Sequence, residues 1–192
     1  SIELKSNTRK VKHSLKSNQH FHRLKFSKGT DDFDGIINHL RKQPNQQIEN
    51  EITITASSIA ENNVSEYGPY RAIQYKNQKF FSSQNQPNSW ICFEFKNHRI
   101  IPTHYTIQTY RYGDYAPLNF KIEILNEKLE WEEIDRQEDD PFGEEPLETL
   151  TFSINKNHQK ETKSIRLTQT GKNSSGNDQL VFNAIEFFGC LI

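Results

Sequence analysis

The sequence predicts an all-β fold, an antiparallel eight-stranded jelly-roll β-sandwich with a short N-terminal helix and an arm. Three observations support this prediction. From residue 50 almost to the end, apolar and polar residues alternate with a period of two, which is typical of half-buried strands. The alternating runs are short, and polar loops separate them. Only one segment has helical spacing, so the strands must pack against each other, as in a sandwich or jelly roll.

The helix comes before the strands. Apolar residues within 33–40 recur at the i, i+3, i+4, i+7 spacing of a helix, and Pro44 follows soon after. Residues 1–30 are polar and basic without a clear period. We therefore expect an N-terminal arm or linker over residues 1–30 and a single β-sandwich domain over residues 31–192.

The strands follow in order as runs that are rich in β-branched and aromatic residues. The eight predicted strands span residues 52–56, 90–95, 100–110, 120–125, 131–134, 149–154, 164–168 and 180–188. The chain has 13 Phe and 7 Tyr. Because each buried aromatic side chain removes roughly 150–250 Å² from water, these residues can supply a core that the modest apolar content could not.

Charge is unevenly distributed although the net charge is only −1. Residues 1–30 carry eight Lys or Arg against the single Glu3, whereas residues 121–150 carry twelve acidic residues against three basic ones. The simplest interpretation is a solvated basic arm and a solvated acidic segment; docking of the opposite charges, within the chain or with a partner, is the alternative. The domain itself is not basic, so we expect no nucleic-acid partner.

The environment of the protein is predicted from its apolar runs and its cysteines. No run approaches the 18 apolar residues of a transmembrane segment, and the N-terminus lacks the apolar core of a signal peptide. The chain starts at Ser1 and contains no Met, so we expect an excised or processed segment of a longer chain. Two cysteines, Cys92 and Cys190, are too few for a disulfide scaffold, and alternation around Cys92 indicates a buried thiol. We expect a cytoplasmic location.

The motifs of common enzymes and cofactor sites are missing. The sequence has no Gly-rich phosphate loop, no nucleophile elbow, no H-E-x-x-H helix and no paired-cysteine zinc spacing. The acidic segment is too charged to give the protected carboxyl group that general acid catalysis needs. We expect no enzymatic activity, no catalytic residue, no metal and no cofactor.

Five segments in order resemble a discoidin domain, the coagulation factor V and VIII type C domain with a galactose-binding-like jelly roll. They are a Trp-led strand at 89–96, a following strand at 100–107, a hairpin at 118–125 with 131–134, an Arg-bearing strand at 164–167, and a terminal Glu-x-x-Gly-Cys within 184–190. The sequence is most similar to intracellular versions of the family in BTB-associated protozoan proteins. Secreted members pair the terminal Cys with one near the domain start, and no residue near Ile52 could partner Cys190 here.

The resemblance implies that ligands bind to loops at one end of the sandwich, here residues 57–86, 110–117 and 171–178. The predicted ligand-binding residues in these loops are Arg111, Tyr112, Tyr115, Lys172 and Asn173. Arg binds carboxylates or phosphates in a forked geometry, and Tyr adds contact area at low entropic cost. The alternative is that the tyrosines pack the mouth of the barrel and that Arg111 only extends along it.

Three functions are compatible with this fold. The preferred one is an adaptor module whose loops recognise a protein partner or scaffold. The second is a carbohydrate-binding module, in which aromatic faces and polar side chains would hold sugar hydroxyl groups. The third, binding of acidic phospholipid, needs exposed apolar side chains that the polar segment 110–115 does not supply.

Overall fold

The fold is taken from a computed structural model, which describes residues 21–75, 79–143 and 145–192. The strands are β1 (His22–Leu24), β2 (Ile52–Ala56), β3 (Phe81–Ser82), β4 (Trp90–Phe95), β5 (Ile100–Gln108), β6 (Phe120–Leu125), β7 (Trp131–Gln137), β8 (Thr149–Ser153), β9 (Ser164–Gln169), β10 (Val181–Phe182) and β11 (Ala184–Leu191). The helices are α1 (Ile36–Arg41), α2 (Ile48–Glu51) and α3 (Val64–Tyr67), with 3₁₀ turns at Ala60–Asn62, Pro69–Ile73 and Lys156–His158.

Two antiparallel sheets form the sandwich. One has five strands in the order β2-β4-β9-β6-β7, the other has four in the order β1-β11-β5-β8, and β10 pairs with β3 beside them. Inward-facing side chains of both sheets build the core; Phe93 and Phe120 from one sheet and Tyr105 and Phe187 from the other are fully buried. This confirms the predicted jelly-roll β-sandwich. Each predicted strand is present, and the last prediction covers β10 and most of β11.

Helix α1 confirms the predicted N-terminal helix, and it packs on β11 through a close approach at Gly35. A Cβ atom on Gly35 would lie well inside van der Waals contact with the carbonyl oxygen of Phe187 and the side chain of Glu186. The carboxylate of Glu186 is fully buried and accepts hydrogen bonds from the backbone N–H groups of Ile37 and Asn38, both at 2.9 Å. The first turn of the helix is therefore fixed to the sheet by a side chain of β11.

Strand β1 lies in the segment that the sequence assigned to the arm. It pairs antiparallel with β11, with His22 opposite Leu191 and Leu24 opposite Gly189. Phe26 then packs its ring on Phe188, with ring centroids 5.4 Å apart. Residues 22–26 of the predicted arm over 1–30 thus belong to the sandwich, while its residues 1–20 lie outside the described residues.

The two cysteines are free, and both are half-buried. Cys92 was predicted to be a buried thiol, but it alternates with the inward-facing Ile91 and Phe93 and so lies on the outer face of the sheet. Partial burial still raises the pKa of the Cys92 thiol to about 11. The cytoplasmic location stays a prediction. No helix in the described part of the chain is long and apolar enough to cross a membrane.

The outer face of the five-stranded sheet carries a buried ion cluster. Glu123 is only 3% exposed, although the sequence suggested that the acidic segment is solvated. Arg166 donates two hydrogen bonds to its carboxylate at 2.7 and 3.2 Å, and Thr168 donates a third at 2.7 Å. The Arg166 guanidinium also lies 4.1 Å above the Trp131 ring. The carboxylate is covered because its cationic and aromatic neighbours lie over it.

Candidate functional site

Three loops meet at the end of the sandwich where β5 ends and β11 begins. The first loop lies between β2 and β4, the second between β5 and β6, and the third between β9 and β10. The sequence analysis assigned ligand binding to these same loops. We refer to their meeting point as the loop end.

Side-chain hydrogen bonds tie the second and third loops together. The backbone N–H of Ala116 donates to the hydroxyl of Ser174 at 2.9 Å, and the N–H of Ser174 donates back to the carbonyl of Ala116 at 3.0 Å. The N–H of Tyr115 donates to the Ser175 hydroxyl at 3.3 Å. The two loops are therefore joined directly by hydrogen bonds.

The first loop is tied to the third in the same way. The N–H of Asp178 donates to Asn85 Oδ1 at 2.8 Å. The N–H of Leu180 donates to the Ser83 hydroxyl at 2.9 Å, and Gln179 Nε2 donates to the Ser82 hydroxyl at 2.8 Å. Hydrogen bonds within the chain thus connect all three loops.

A cavity of about 410 Å³ opens between the loops, and we call it the loop pocket. Its lining combines aromatic, polar and small apolar side chains. The lining residues are Ala60, Glu61, Tyr67, Phe80, Ser82, Gln84, Asn85, Tyr110, Tyr115, Gln179 and Val181. Aromatic walls with a few convergent polar groups are the usual composition of a small-molecule site.

The aromatic side chains of the pocket form a continuous chain of contacts. Ring centroids are 5.4 Å apart between Tyr67 and Phe80, 4.5 Å between Phe80 and Tyr110, and 6.2 Å between Tyr110 and Tyr115. These are favourable aromatic separations, so the rings support one another. Burial raises the pKa of Tyr110 above its ordinary value.

Two loop segments that line the pocket adopt left-handed backbone conformations. Glu61 and Asn62 have φ values of 52° and 53°, and Tyr115 has a φ of 60°. Non-glycine residues in this region cost of order 1–3 kcal/mol each, and such residues cluster at functional sites. The surrounding hydrogen bonds hold them; Asn62 Oδ1, for example, accepts from Gln84 Nε2 at 3.0 Å.

Of the five predicted ligand-binding residues, Tyr115 lines the loop pocket. Arg111 and Tyr112 lie beside it on the outer side: the Arg111 guanidinium is 6.0 Å from the Phe80 ring centroid and 4.8 Å from that of Tyr112. Tyr112 is 65% exposed. The structure therefore places the predicted Arg and Tyr pair at the rim of the pocket.

The two predicted residues of the third loop lie away from the pocket lining. Lys172 forms an ion pair with Asp178. Asn173 is only 2% exposed; its amide donates to Asn177 Oδ1 at 2.7 Å and to the Gln179 carbonyl at 2.8 Å. In this structure Asn173 organises the loop that carries Gln179.

Several lining residues escaped the sequence analysis. Tyr67, Phe80, Gln84 and Asn85 lie inside the first predicted loop, whose irregular sequence has no period that would mark them. Gln179 follows directly after the third predicted loop. The aromatic residues of the long first loop were the one available signal, because a polar loop has no structural need for them.

A second cavity, of about 500 Å³, lies on the flank of the sandwich beside α1. Its wall includes Arg41, whose guanidinium lies 4.8 Å above the Tyr75 ring and donates to the Ile73 carbonyl. Unlike the loop pocket, it is not formed where the three predicted loops meet. Among the described residues, no three His, Cys, Asp or Glu side chains converge as a metal site would require.

Comparison with known proteins identifies the fold. No protein-family model and no curated protein sequence matches the chain. Solved structures do match. The CpGH89CBM32-5 module from Clostridium perfringens, in complex with GalNAc-β-1,3-galactose, is 13% identical with a TM-score of 0.57; the alignment covers 72% of this chain and 95% of that one.

Two further structures have the same architecture. The family 32 carbohydrate-binding module of NanJ from C. perfringens, in complex with galactose, is 14% identical with a TM-score of 0.55, covering 73% of this chain and 95% of that one. An F5/8 type C domain from Bacteroides fragilis is 15% identical with a TM-score of 0.58, covering 72% and 91%. The chain therefore has the galactose-binding-like jelly-roll fold of family 32 carbohydrate-binding modules and F5/8 type C domains.

Proposed function

We propose that this protein is a non-catalytic carbohydrate-binding module of the discoidin type that binds a sugar in the loop pocket. The observation that carries the proposal is the pocket itself. Four aromatic rings and several amide and hydroxyl groups converge there, on loops that are joined by hydrogen bonds. Aromatic faces pack against the apolar faces of sugar rings, while amides and hydroxyl groups exchange hydrogen bonds with sugar hydroxyl groups.

The comparisons support the same proposal. Two of the similar structures contain a galactose-bearing ligand, and a third, the family 32 module of AlyQ, contains 4,5-unsaturated mannuronic acid. We therefore rank carbohydrate above the protein partner that the sequence analysis preferred. The closer relationship to BTB-associated proteins and the adaptor role stay predictions.

The test is a glycan array followed by calorimetric titration of the best ligand. We expect Tyr67→Ala and Tyr115→Ala each to weaken binding at least about tenfold, because each removes an aromatic wall of the pocket and such contacts contribute on the order of 1 kcal/mol or more. Phe21→Ala is the matched control, since Phe21 is 50% exposed and lies next to β1 at the opposite end of the sandwich.

Two outcomes would contradict the proposal. One is the absence of binding to any glycan. The other is a specific protein partner that is lost when Arg111 and Tyr112 are replaced by Ala but retained in the Tyr67 and Tyr115 variants. The second outcome would favour the adaptor function and place its interface at the rim.

A further inference from the structure

The loop pocket has one charged side chain in its described lining, and that side chain is Glu61. Within the described residues, no hydrogen bond or ion pair involves its carboxylate. The nearby Glu66 differs, because it lies 3.5 Å from Lys79 in an ion pair and does not line the pocket. Glu61 is therefore the one anion among described lining residues that are otherwise neutral.

The backbone fixes the point from which the exposed Glu61 side chain extends. Glu61 has φ 52° and ψ 14°, inside a tight turn closed by the Asn62 N–H donating to the Ile59 carbonyl at 3.1 Å. The next residue, Asn62, accepts a hydrogen bond from Gln84 Nε2 at 3.0 Å through its side-chain oxygen. These two hydrogen bonds restrain the backbone of the turn, and Glu61 lines the cavity from there.

The rest of the loop end does not neutralise this charge from within the pocket. Arg111 lies over the rings of Phe80 and Tyr112 at the rim of the pocket and is not part of the lining. Leu147 of the acidic segment lies next to the pocket, since its N–H donates to the Tyr110 carbonyl at 3.3 Å. The described acidic side chains at 138–140 and 145 are exposed, so their field attracts cations toward this end of the molecule.

An ammonium group is the ligand chemistry that such a site suits. A carboxylate forms a short, charge-assisted hydrogen bond with an ammonium group. Aromatic faces attract the same group through their quadrupoles. A ligand carboxylate in the pocket would instead lie beside Glu61, and the two like charges would repel each other.

We propose that the loop pocket selects amino sugars with a free, protonated amine over neutral and carboxylated sugars, and that Glu61 determines this specificity. The inference rests on the proposed function and names the class of sugar for the same site. The amine binds beside Glu61 while the ring packs against the aromatic walls.

Calorimetric titration at mildly acidic pH tests the inference. The probes are a β-1,4-linked glucosamine tetramer, its fully N-acetylated counterpart and a galacturonic acid tetramer. We expect the wild-type protein to bind the glucosamine tetramer about tenfold more tightly than the N-acetylated one, as one charge-assisted bond would give. The preference should shrink as salt is added, because screening weakens the charge term.

Glu61→Gln keeps the size of the side chain and removes its charge. We expect it to abolish the preference by weakening the glucosamine tetramer about tenfold, with the N-acetylated tetramer unaffected. Glu66→Gln is the matched control and should leave both affinities unchanged. Thermal melts of both variants verify that they are folded.

The results separate the two proposals. Equal binding of the amine-bearing and N-acetylated tetramers, tighter binding of the galacturonic acid tetramer, or an unchanged preference in Glu61→Gln would overturn this inference and leave the proposed function standing. Failure of all three tetramers, together with failure of the glycan array, would overturn both.

Discussion

Gly35 has no side chain, and this allows α1 to pack closely against β11. The backbone there approaches the Phe187 carbonyl so closely that even a methyl group cannot be accommodated without a shift. The sequence gives no hint of this, because Gly35 lies within the helical pattern of 33–40 and its neighbour across the interface is 152 residues away.

Gly35→Ala should therefore destabilise the fold by about 1–3 kcal/mol, the usual cost of forcing extra volume into a packed site. Urea unfolding followed by intrinsic fluorescence measures the change. Gly143→Ala is the comparison, because the nearest atom to a Cβ there is the flexible carboxylate of Glu148 at 3.2 Å. Equal stability of Gly35→Ala and the wild type would mean that α1 can move away from β11.

The predicted site residues differ in where the structure places them relative to the loop pocket. Tyr115 was predicted and lines the loop pocket, whereas Asn173 is a buried loop residue in the structure. Both are polar loop residues in the sequence, and only the fold determines which of them points into the cavity. Glu61 was missed because an isolated acidic residue in a polar loop carries no pattern.

Among the elements, the long strands follow directly from the alternating pattern, and the shortest ones do not. β3 has two residues and β1 has three, so neither is long enough to show a period of two. β1 is a strand because β11 offers an unpaired edge and because Leu24 and Phe26 find apolar contacts there. That tertiary cause cannot be recognised in a local sequence window.

If those two contacts hold β1, the double variant Leu24→Ser with Phe26→Ser should release it from the sheet. Hydrogen exchange measured by mass spectrometry should then accelerate by about tenfold or more for peptides covering 22–26 and 189–192, while β6 and β9 keep their protection. Lys25→Ser, an exposed position between the two, serves as the control. Unchanged protection at 189–192 would show that backbone pairing alone holds the strand.

At the scale of the whole molecule, two buried carboxyl groups, Glu123 and Glu186, make the stability of the fold depend on pH in opposite directions. Burial by itself would raise the pKa of Glu123, but hydrogen bonds from Arg166, Lys121 and Thr168 outweigh it and lower the pKa from 4.5 to about 2. For Glu186, burial dominates over its four donors, which include the Tyr75 hydroxyl, and raises the pKa from 4.5 to about 7.

Because the pKa of each carboxyl group differs between the folded and the unfolded chain, each group changes the free energy of unfolding over its own pH range. The Glu123 contribution is present above pH 4.5 and is lost as the pH falls toward 2; the Glu186 contribution is present below pH 4.5 and is lost as the pH rises through 7. Each amounts to about 3 kcal/mol if the full shift is realised.

The measurement is the free energy of unfolding against pH for the wild type, Glu123→Gln and Glu186→Gln. The difference between wild type and Glu186→Gln should narrow as the pH rises from 4.5 to 7, and the difference between wild type and Glu123→Gln should narrow as the pH falls below 4.5. A pH-independent difference for either pair would mean that the corresponding carboxyl group titrates normally in the folded protein.

The hydrogen bonds that join the three loops have a consequence for the rates of binding. Conformational entropy of the loops is lost when the chain folds, so little remains to be lost when a sugar arrives. A preformed receptor changes shape little on complex formation. Sugars of different fit should therefore share similar association rates and differ in residence time, with the tightest ligand being the one that leaves most slowly.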